Sequence, residues 1–371
     1  VAATLRAEYL TGGPKVEEFE HAFAKATGAP HAVACNSGTA ALHLAALSLD
    51  LSPDQAAVVP AMTFLATANV VRMTGAEVTF ADVDADTGLM TEATFTAAAD
   101  RYDGGKQLTA AFPVHLNGQV GDMGRLAQAA APRGITLVED ACHALGVPDV
   151  ASSSSAAVCF STHPVKAIAT GEGGVVTTRE SQRAHRMRRL RSHGMSRDSG
   201  SFVNRNLAFD NGTANSWYYE MQEIGWNYRI PDLLCALGIS QLTKLNQFAA
   251  RRREIAMLYD RLLAPLAPNV RPAPHDTSRH GWHLYVILID FNSIRITRAH
   301  LMKALREKGI GTQVHYIPLH HQPYYRARYG DLLLPGADRY YSRCLSIPIF
   351  PAMTNDDVHR VVQELSTLVM H

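Results

Sequence analysis

Lysine is scarce in this chain, seven residues in 371, and one of the seven stands apart. Lys166 follows the apolar run Ala156–Phe160 within Ser161-Thr162-His163-Pro164-Val165-Lys166 and precedes the turn Gly171-Glu172-Gly173-Gly174. A lysine turned inward between a strand and a glycine turn loses hydration, which lowers its pKa and frees the amine to form an imine. A second group, Glu139-Asp140-Ala141-Cys142-His143-Ala144, closes the apolar run Ile135–Glu139. A carboxylate there can pair with a protonated pyridine nitrogen and keep such a ring an electron sink, and His143 could reach a ring oxygen. Third, Asn36-Ser37-Gly38-Thr39-Ala40-Ala41-Leu42 passes from strand to helix. Glycine lets the backbone approach a ligand, and free N–H groups with the helix dipole attract an anion. Fourth, Phe64 in Pro60-Ala61-Met62-Thr63-Phe64 opens a helix and could stack on a flat ring.

Each signal has a plainer reading: a loop lysine, a strand-end cap or metal ligand, a Ser/Thr N-cap, a core aromatic. Their order carries more than any one of them. Together they form one consistent set of contacts to a phosphorylated aromatic cofactor. Seventeen histidines raise the question of a metal, but no H-E-x-x-H occurs. The adjacent pair His320-His321, read as part of a strand, cannot readily turn both rings to one ion, so no metal is expected. There is no Walker P-loop and no clean G-x-G-x-x-G after a strand, which weakens the nucleotide-hydrolase and dinucleotide-binding readings.

The elements that must hold these residues alternate strand and helix. Strands are expected at His31–Asn36, Ala56–Pro60, Glu77–Ala81, Leu108–Phe112, Ile135–Glu139, Ala156–Phe160 and Gly174–Thr178, with helices such as Thr39–Leu49, Phe64–Met73, Met123–Ala131 and Glu180–Arg191 between them. That alternation predicts an α/β fold with a mainly parallel sheet, whose ligands gather beyond the carboxyl ends of the strands. A helix is expected after Pro231, over Leu233–Leu245 toward Arg252. Beyond the proline-rich Pro265–Pro274 come strand His283–Asp290, helix Thr297–Lys308, strand Thr312–Tyr316, strand Cys344–Pro348 and helix Asp356–Met370. The reading is a large domain over 1–250 and a small α+β domain over 251–371. The run Ser152–Ser155 reads as a flexible loop.

Composition agrees with an enzyme of this class: 47% apolar, 19% charged, net charge +1. No global field draws in nucleic acid or a membrane surface, so an anionic ligand must be held by local donors. Five cysteines without CxxC spacing read as buried thiols of a reducing compartment, and with no secretion signal or bilayer-length apolar run the expected location is cytoplasmic. Val1 falls in what reads as the middle of a helix, which suggests that residues precede it.

In the stretches Asn36–Leu42, Glu139–Gly146, Phe160–Gly174, Arg191-Ser192-His193-Gly194-Met195 and Gly225-Trp226-Asn227-Tyr228-Arg229, the sequence resembles the DegT/DnrJ/StrS family of pyridoxal-phosphate (PLP) sugar aminotransferases. The resemblance runs from Leu10-Thr11-Gly12-Gly13 to the last helix. It implies the aspartate-aminotransferase fold (PLP-dependent transferase fold type I), Lys166 as Schiff-base lysine and proton shuttle, Asp140 on the pyridine nitrogen and His143 on the phenolic oxygen. It also implies Phe64 stacked on the ring and Ser37, Gly38, Thr39 and Ser161 around the phosphate. Asn227 would reach that phosphate from a partner subunit, giving a homodimer with shared sites. His163 and Glu172 would shape the lysine loop. Pyridoxamine phosphate would arise in turnover, with L-glutamate as amino donor and a nucleotide sugar as acceptor.

A narrower likeness, to members that aminate C4 of a UDP-linked 4-keto-6-deoxy sugar on the way to pseudaminic acid, rests on Leu190–Met195, Ala236–Leu242, Trp282–Tyr285 and Gln313–Arg326. It implies substrate contacts from His163, Glu172, His193, Arg229, His315, Tyr316, His320 and Tyr324, the last four otherwise reading as a surface strand and loop. Other nucleotide keto sugars, dTDP- or GDP-linked or UDP-4-keto-arabinose, stay open, as does a non-catalytic PLP-binding regulator. Two departures stand out: Thr162 where the family often has an aromatic, and a shortened, serine-rich Val147–Val158 whose hairpin is expected to be altered.

Overall fold

A computed structural model describes residues 1–151 and 154–370. Its centre is a seven-stranded sheet of β1 (His31–Cys35), β2 (Gln55–Pro60), β3 (Glu77–Ala81), β4 (Gln107–Ala111), β5 (Thr136–Asp140), β6 (Ala157–Ser161) and β7 (Gly174–Thr178). The spatial order is β1-β7-β6-β5-β4-β2-β3. The run β3-β2-β4-β5-β6 is parallel, and β7 is antiparallel to both β6 and β1. These strands are almost wholly buried because helices cover both faces, which is why they read as continuous apolar runs.

The antiparallel β7 fixes where the lysine sits. Ser161 at the end of β6 pairs with Gly174 at the start of β7, and Gly174 also pairs with Cys35 at the end of β1. The twelve-residue excursion between Ser161 and Gly174 therefore leaves and re-enters the sheet at one edge, carrying Lys166 over the carboxyl ends of β1, β5 and β6. Gly174 is required there by space. A Cβ on it would lie 2.2 Å from the Ser37 carbonyl oxygen.

Three helices frame that edge. The first, α1 (Pro14–Thr27), starts with proline at its first turn and stops at Gly28 in the left-handed conformation. Its N-terminus is anchored from afar, since the N–H groups of Gly13 and Lys15 donate to the two oxygens of Asp232 at 2.8 and 2.9 Å. Next, α2 (Gly38–Ser48) is capped by Ser37, whose side chain accepts from the Ala40 N–H. It is apolar all round because it is packed between the sheet and neighbouring helices. Then α3 (Leu65–Met73) begins just after Phe64.

The C-terminal part adds a three-stranded antiparallel sheet of Val270–Pro272, Tyr285–Ile289 and Cys344–Ile347, with a core running from Ile255 to Leu365. The stretch expected as one helix after Pro231 is two, Asp232–Leu242 and Leu245–Leu263, and position 250/251 falls inside the second. The strand expected over Thr312–Tyr316 does not form. Only Gln313 pairs, with Ser346, after which Pro318 and the turn Leu319–His321 take the chain away from the sheet. Near the start, Thr4–Arg6 is a short 3-10 turn in place of the expected helix interior. The serine run expected as a loop, and the altered hairpin around it, fall partly outside the described residues. No helix among the described residues is long and apolar enough to cross a membrane.

Candidate active site

Lys166, Asp140, His143, Phe64, Ser37, Gly38, Thr39, Ser161, His163, Glu172 and Tyr316 all line one cavity of about 300 Å³ above the sheet edge. Asp140, the last residue of β5, is held at both oxygens. Thr67 Oγ1 donates to Oδ2 at 2.7 Å, and the Cys142 N–H donates to Oδ1 at 3.1 Å. His143 is buried, with Nε2 3.2 Å from the Tyr316 hydroxyl and Nδ1 without a hydrogen-bond partner. Burial, followed by the Lys166 charge, pushes its pKa well below the usual value, so the ring is neutral. The Lys166 amine lies 3.5 Å from His283 Nε2. Burial lowers its pKa, while Cys142 and Asp140 act in the opposite sense.

The anion end of the cavity is built by α2 and β6. Ser37 occupies one N–H of the first turn, and the earlier N–H groups of a helix have no partner within it. A Cβ on Gly38 would stand 2.9 Å from Ser161 Cβ and 3.3 Å from Cys142 Sγ, so only glycine leaves this corner open. Phe64 lies at the mouth, half exposed, with its ring centroid 5.7 Å from that of Tyr316. His163 and Glu172 approach to 3.8 Å across the lysine loop.

A second cavity, about 1070 Å³, opens on the other side of Lys166. It shares Val165, Lys166 and Tyr316 with the first and is lined further by Arg251, Arg252, His283, Gln313, His315 and Phe350. His315 bonds Ser346 Oγ at 2.8 Å, and burial, then Lys166, lowers its pKa to about 4.

Five expected site residues are not brought to Lys166 by their own chain. Asn227 and His193 are exposed, beside Ser192 and Trp226 respectively. Arg229 lines a separate basic cleft with Arg188, Arg191 and His185. Tyr324 lies half exposed beside Tyr325, in a groove with Glu77 and Arg328. His320 is buried and points to Asp338, 3.2 Å away, which His321 Nε2 also meets at 2.6 Å. The pair does turn both rings to one group, because it occupies a 3-10 turn and not a strand. Conversely, Thr67, His283 and Cys142 belong to the site and were given no role from sequence. Thr67 lay in plain view one turn after Phe64, and His283 in Trp282–Tyr285.

The arrangement fits PLP. The carboxylate of Asp140 would hold a ring nitrogen, Phe64 a ring face, and the α2 N-terminus with Ser161 a phosphate. Among the described residues His143 offers an unpartnered nitrogen, and Lys166 an amine with no carboxylate within hydrogen-bond reach.

Comparison with known proteins agrees. The sequence matches the DegT/DnrJ/EryC1/StrS aminotransferase family over residues 1–366, and the chain belongs to that family. It is a PLP-dependent sugar aminotransferase. It is 37% identical to the spore coat polysaccharide biosynthesis protein SpsC of Bacillus subtilis, over all of this chain and 93% of SpsC. Among solved structures it is similar to Helicobacter pylori PseC, an aminotransferase involved in the biosynthesis of pseudoaminic acid, with TM-score 0.87, 25% identity, and 100% and 95% of the two chains covered. It is also similar to the putative sugar aminotransferase Spr1654 of Streptococcus pneumoniae in its PMP-form, with TM-score 0.88, 26% identity, and 100% and 95% covered.

Proposed function

We propose that this enzyme transfers the amino group of L-glutamate to C4 of a UDP-linked 4-keto-6-deoxy sugar of the L-AltNAc type, working as a homodimer with shared sites. The observation that carries the reading is the second cavity. It meets the cofactor cavity at Lys166 and Tyr316, and its volume is of the size that drug-sized ligands occupy. Gln313 and His315 supply polar groups for a pyrophosphate, and Phe350 and Tyr316 supply flat faces for a uracil. Likeness to PseC over the whole chain supports a substrate of that kind. Asn227 is exposed and does not line its own chain's cavity, although its carbonyl meets Asn36, and this supports its delivery to a partner's phosphate.

When bound, PLP supplies the electron sink that lets an amino group leave one carbon and join another. The chain supplies the rest. Asp140 keeps a proton on the ring nitrogen, and its two anchors keep its own orientation fixed. Lys166, once free, takes a proton from the donor's carbon and returns one to the sugar's C4, and the downward shift that burial gives its pKa favours the neutral amine that accepts the first of these. Neutral His143 contributes a hydrogen bond without adding charge.

The test is the absorption spectrum of the PLP-loaded protein, before and after L-glutamate and then with UDP-2-acetamido-2,6-dideoxy-β-L-arabino-4-hexulose. Glutamate is expected to bleach the band of lysine-bound cofactor and the sugar to restore it. Restoration by a dTDP- or GDP-linked keto sugar, and not by this one, would overturn the nucleotide assignment. Bleaching by glutamate with no recovery on any keto sugar would keep the amino-transfer chemistry and overturn the sugar assignment.

A further inference from the structure

Lys166 alternates between being tied to the cofactor and being free, and its amine needs a defined place when free. Among the described residues its hydrogen-bond partner is His283 Nε2, at 3.5 Å. The backbone that carries this imidazole is fixed from behind. Arg252 Nη1 donates to the carbonyls of Trp282 and His283 at 3.0 and 3.3 Å, and the Leu284 N–H donates to the Asn117 carbonyl at 3.1 Å. The His283 ring lies against that of His143, centroids 4.4 Å apart, and its Nδ1 has no partner. A buried imidazole with an idle nitrogen costs stability, and packing alone does not call for a nitrogen directed at the lysine.

We propose that His283 is a positioning residue for Lys166: its Nε2 receives the amine whenever the amine is not tied to the cofactor and holds it facing the cavity. The groups facing His283 are Lys166, His143, His315, His163 and Arg252, none of them a carboxylate. Burial, then the neighbouring cations, keeps the ring neutral. A neutral ring with its proton on Nδ1 leaves the Nε2 lone pair as acceptor. It supports the ammonium form of Lys166 and so opposes the effect of burial on that amine.

The experiment is loading of the unloaded chain with PLP, followed by absorbance across pH, for wild type, His283→Leu and His283→Gln. No sugar is present, so the result stands apart from the substrate assignment. In the Leu variant the pH midpoint for loading is expected to move down, because the acceptor for the ammonium is gone. The plateau rate at high pH is expected to fall by about ten-fold or more, because the amine is no longer oriented. Glutamine places an amide oxygen near the Nε2 position and is expected to stay within about two-fold of wild type. A Leu variant with the wild-type midpoint and rate would overturn the proposal. Equal impairment of the Gln and Leu variants would also overturn it, by showing a packing role.

Discussion

Asp140 does its work only if its carboxylate stays aimed at the cavity, and Thr67 is one of the two groups that aim it. Thr67→Val keeps the shape and removes the donor. A buried hydrogen bond to a charged group contributes about 1.5–3 kcal/mol to stability, so the melting temperature is expected to fall, and kcat about ten-fold or more because the carboxylate loses its aim. Steady-state kinetics and a melting curve check this, and an unchanged kcat would refute the role. Histidines give the same scale a pH signature. Burial lowers His43 and, together with Lys166, His315 to about 4, and burial lowers His280 to about 3, from an ordinary 6.5. Below pH 6.5 the unfolded chain binds these protons and the folded chain does not, so stability falls as pH drops from 6.5 toward 4. Carboxylates pulled below their usual range, such as Glu77 beside Arg328, enter only below about 4.5. Melting temperatures at pH 7, 6 and 5 are therefore expected to decline steadily. A flat profile over that range would show the histidines to be solvated.

At the scale of elements, the site depends on β7 running back along β6 so that Gly174 meets Ser37. Gly174→Ala would put a methyl group against the Ser37 carbonyl. Either the cap of α2 or the start of β7 must move, at a cost of about 1–3 kcal/mol. Both a lower melting temperature and weaker PLP binding are expected, measurable by calorimetry and by PLP titration. Loss of stability with unchanged PLP affinity would separate β7 from the phosphate site. The strands of the main sheet are legible from sequence to within a residue or two, because both faces are covered and most of their central positions are apolar. Gly38, Asp140 and Lys166 stand out in the sequence because Asp140 ends a strand and the other two lie in the segments that leave one. The antiparallel sense of β7 was not legible, since a buried strand reads the same in either direction. The strand expected at Thr312–Tyr316 fails for a different reason: the side chains make local contacts in place of a ladder, Tyr316 with His143 and His315 with Ser346. His283 and Thr67 meet Lys166 and Asp140 across 117 and 73 residues of chain, a pairing that no local pattern encodes.

On the scale of the whole molecule, three residues that the family resemblance assigns to the site do not line it in their own chain. Asn227, His193 and Arg229 lie away from Lys166. The neighbouring excursion exposes Val203, Leu207, Trp217, Tyr219, Met221 and Ile224, more apolar surface than scattered single residues would give. A two-fold dimer resolves both facts if each chain lends these residues to its partner's site. The consequence is complementation between two inactive variants. Lys166→Ala lacks the amine, and Asn227→Asp, with a carboxylate where the phosphate would sit, lacks the phosphate contact, so each homodimer is expected to be nearly inactive. In a mixed dimer, Lys166 of one chain and Asn227 of the other come together at one site, while the second site carries both defects. Random exchange makes half the dimers mixed, and activity is expected to rise to about a quarter of wild type on unfolding and refolding the two together. If Asn227 served its own chain's site instead, no mixed dimer would contain an intact site and the mixture would stay as inactive as its parts.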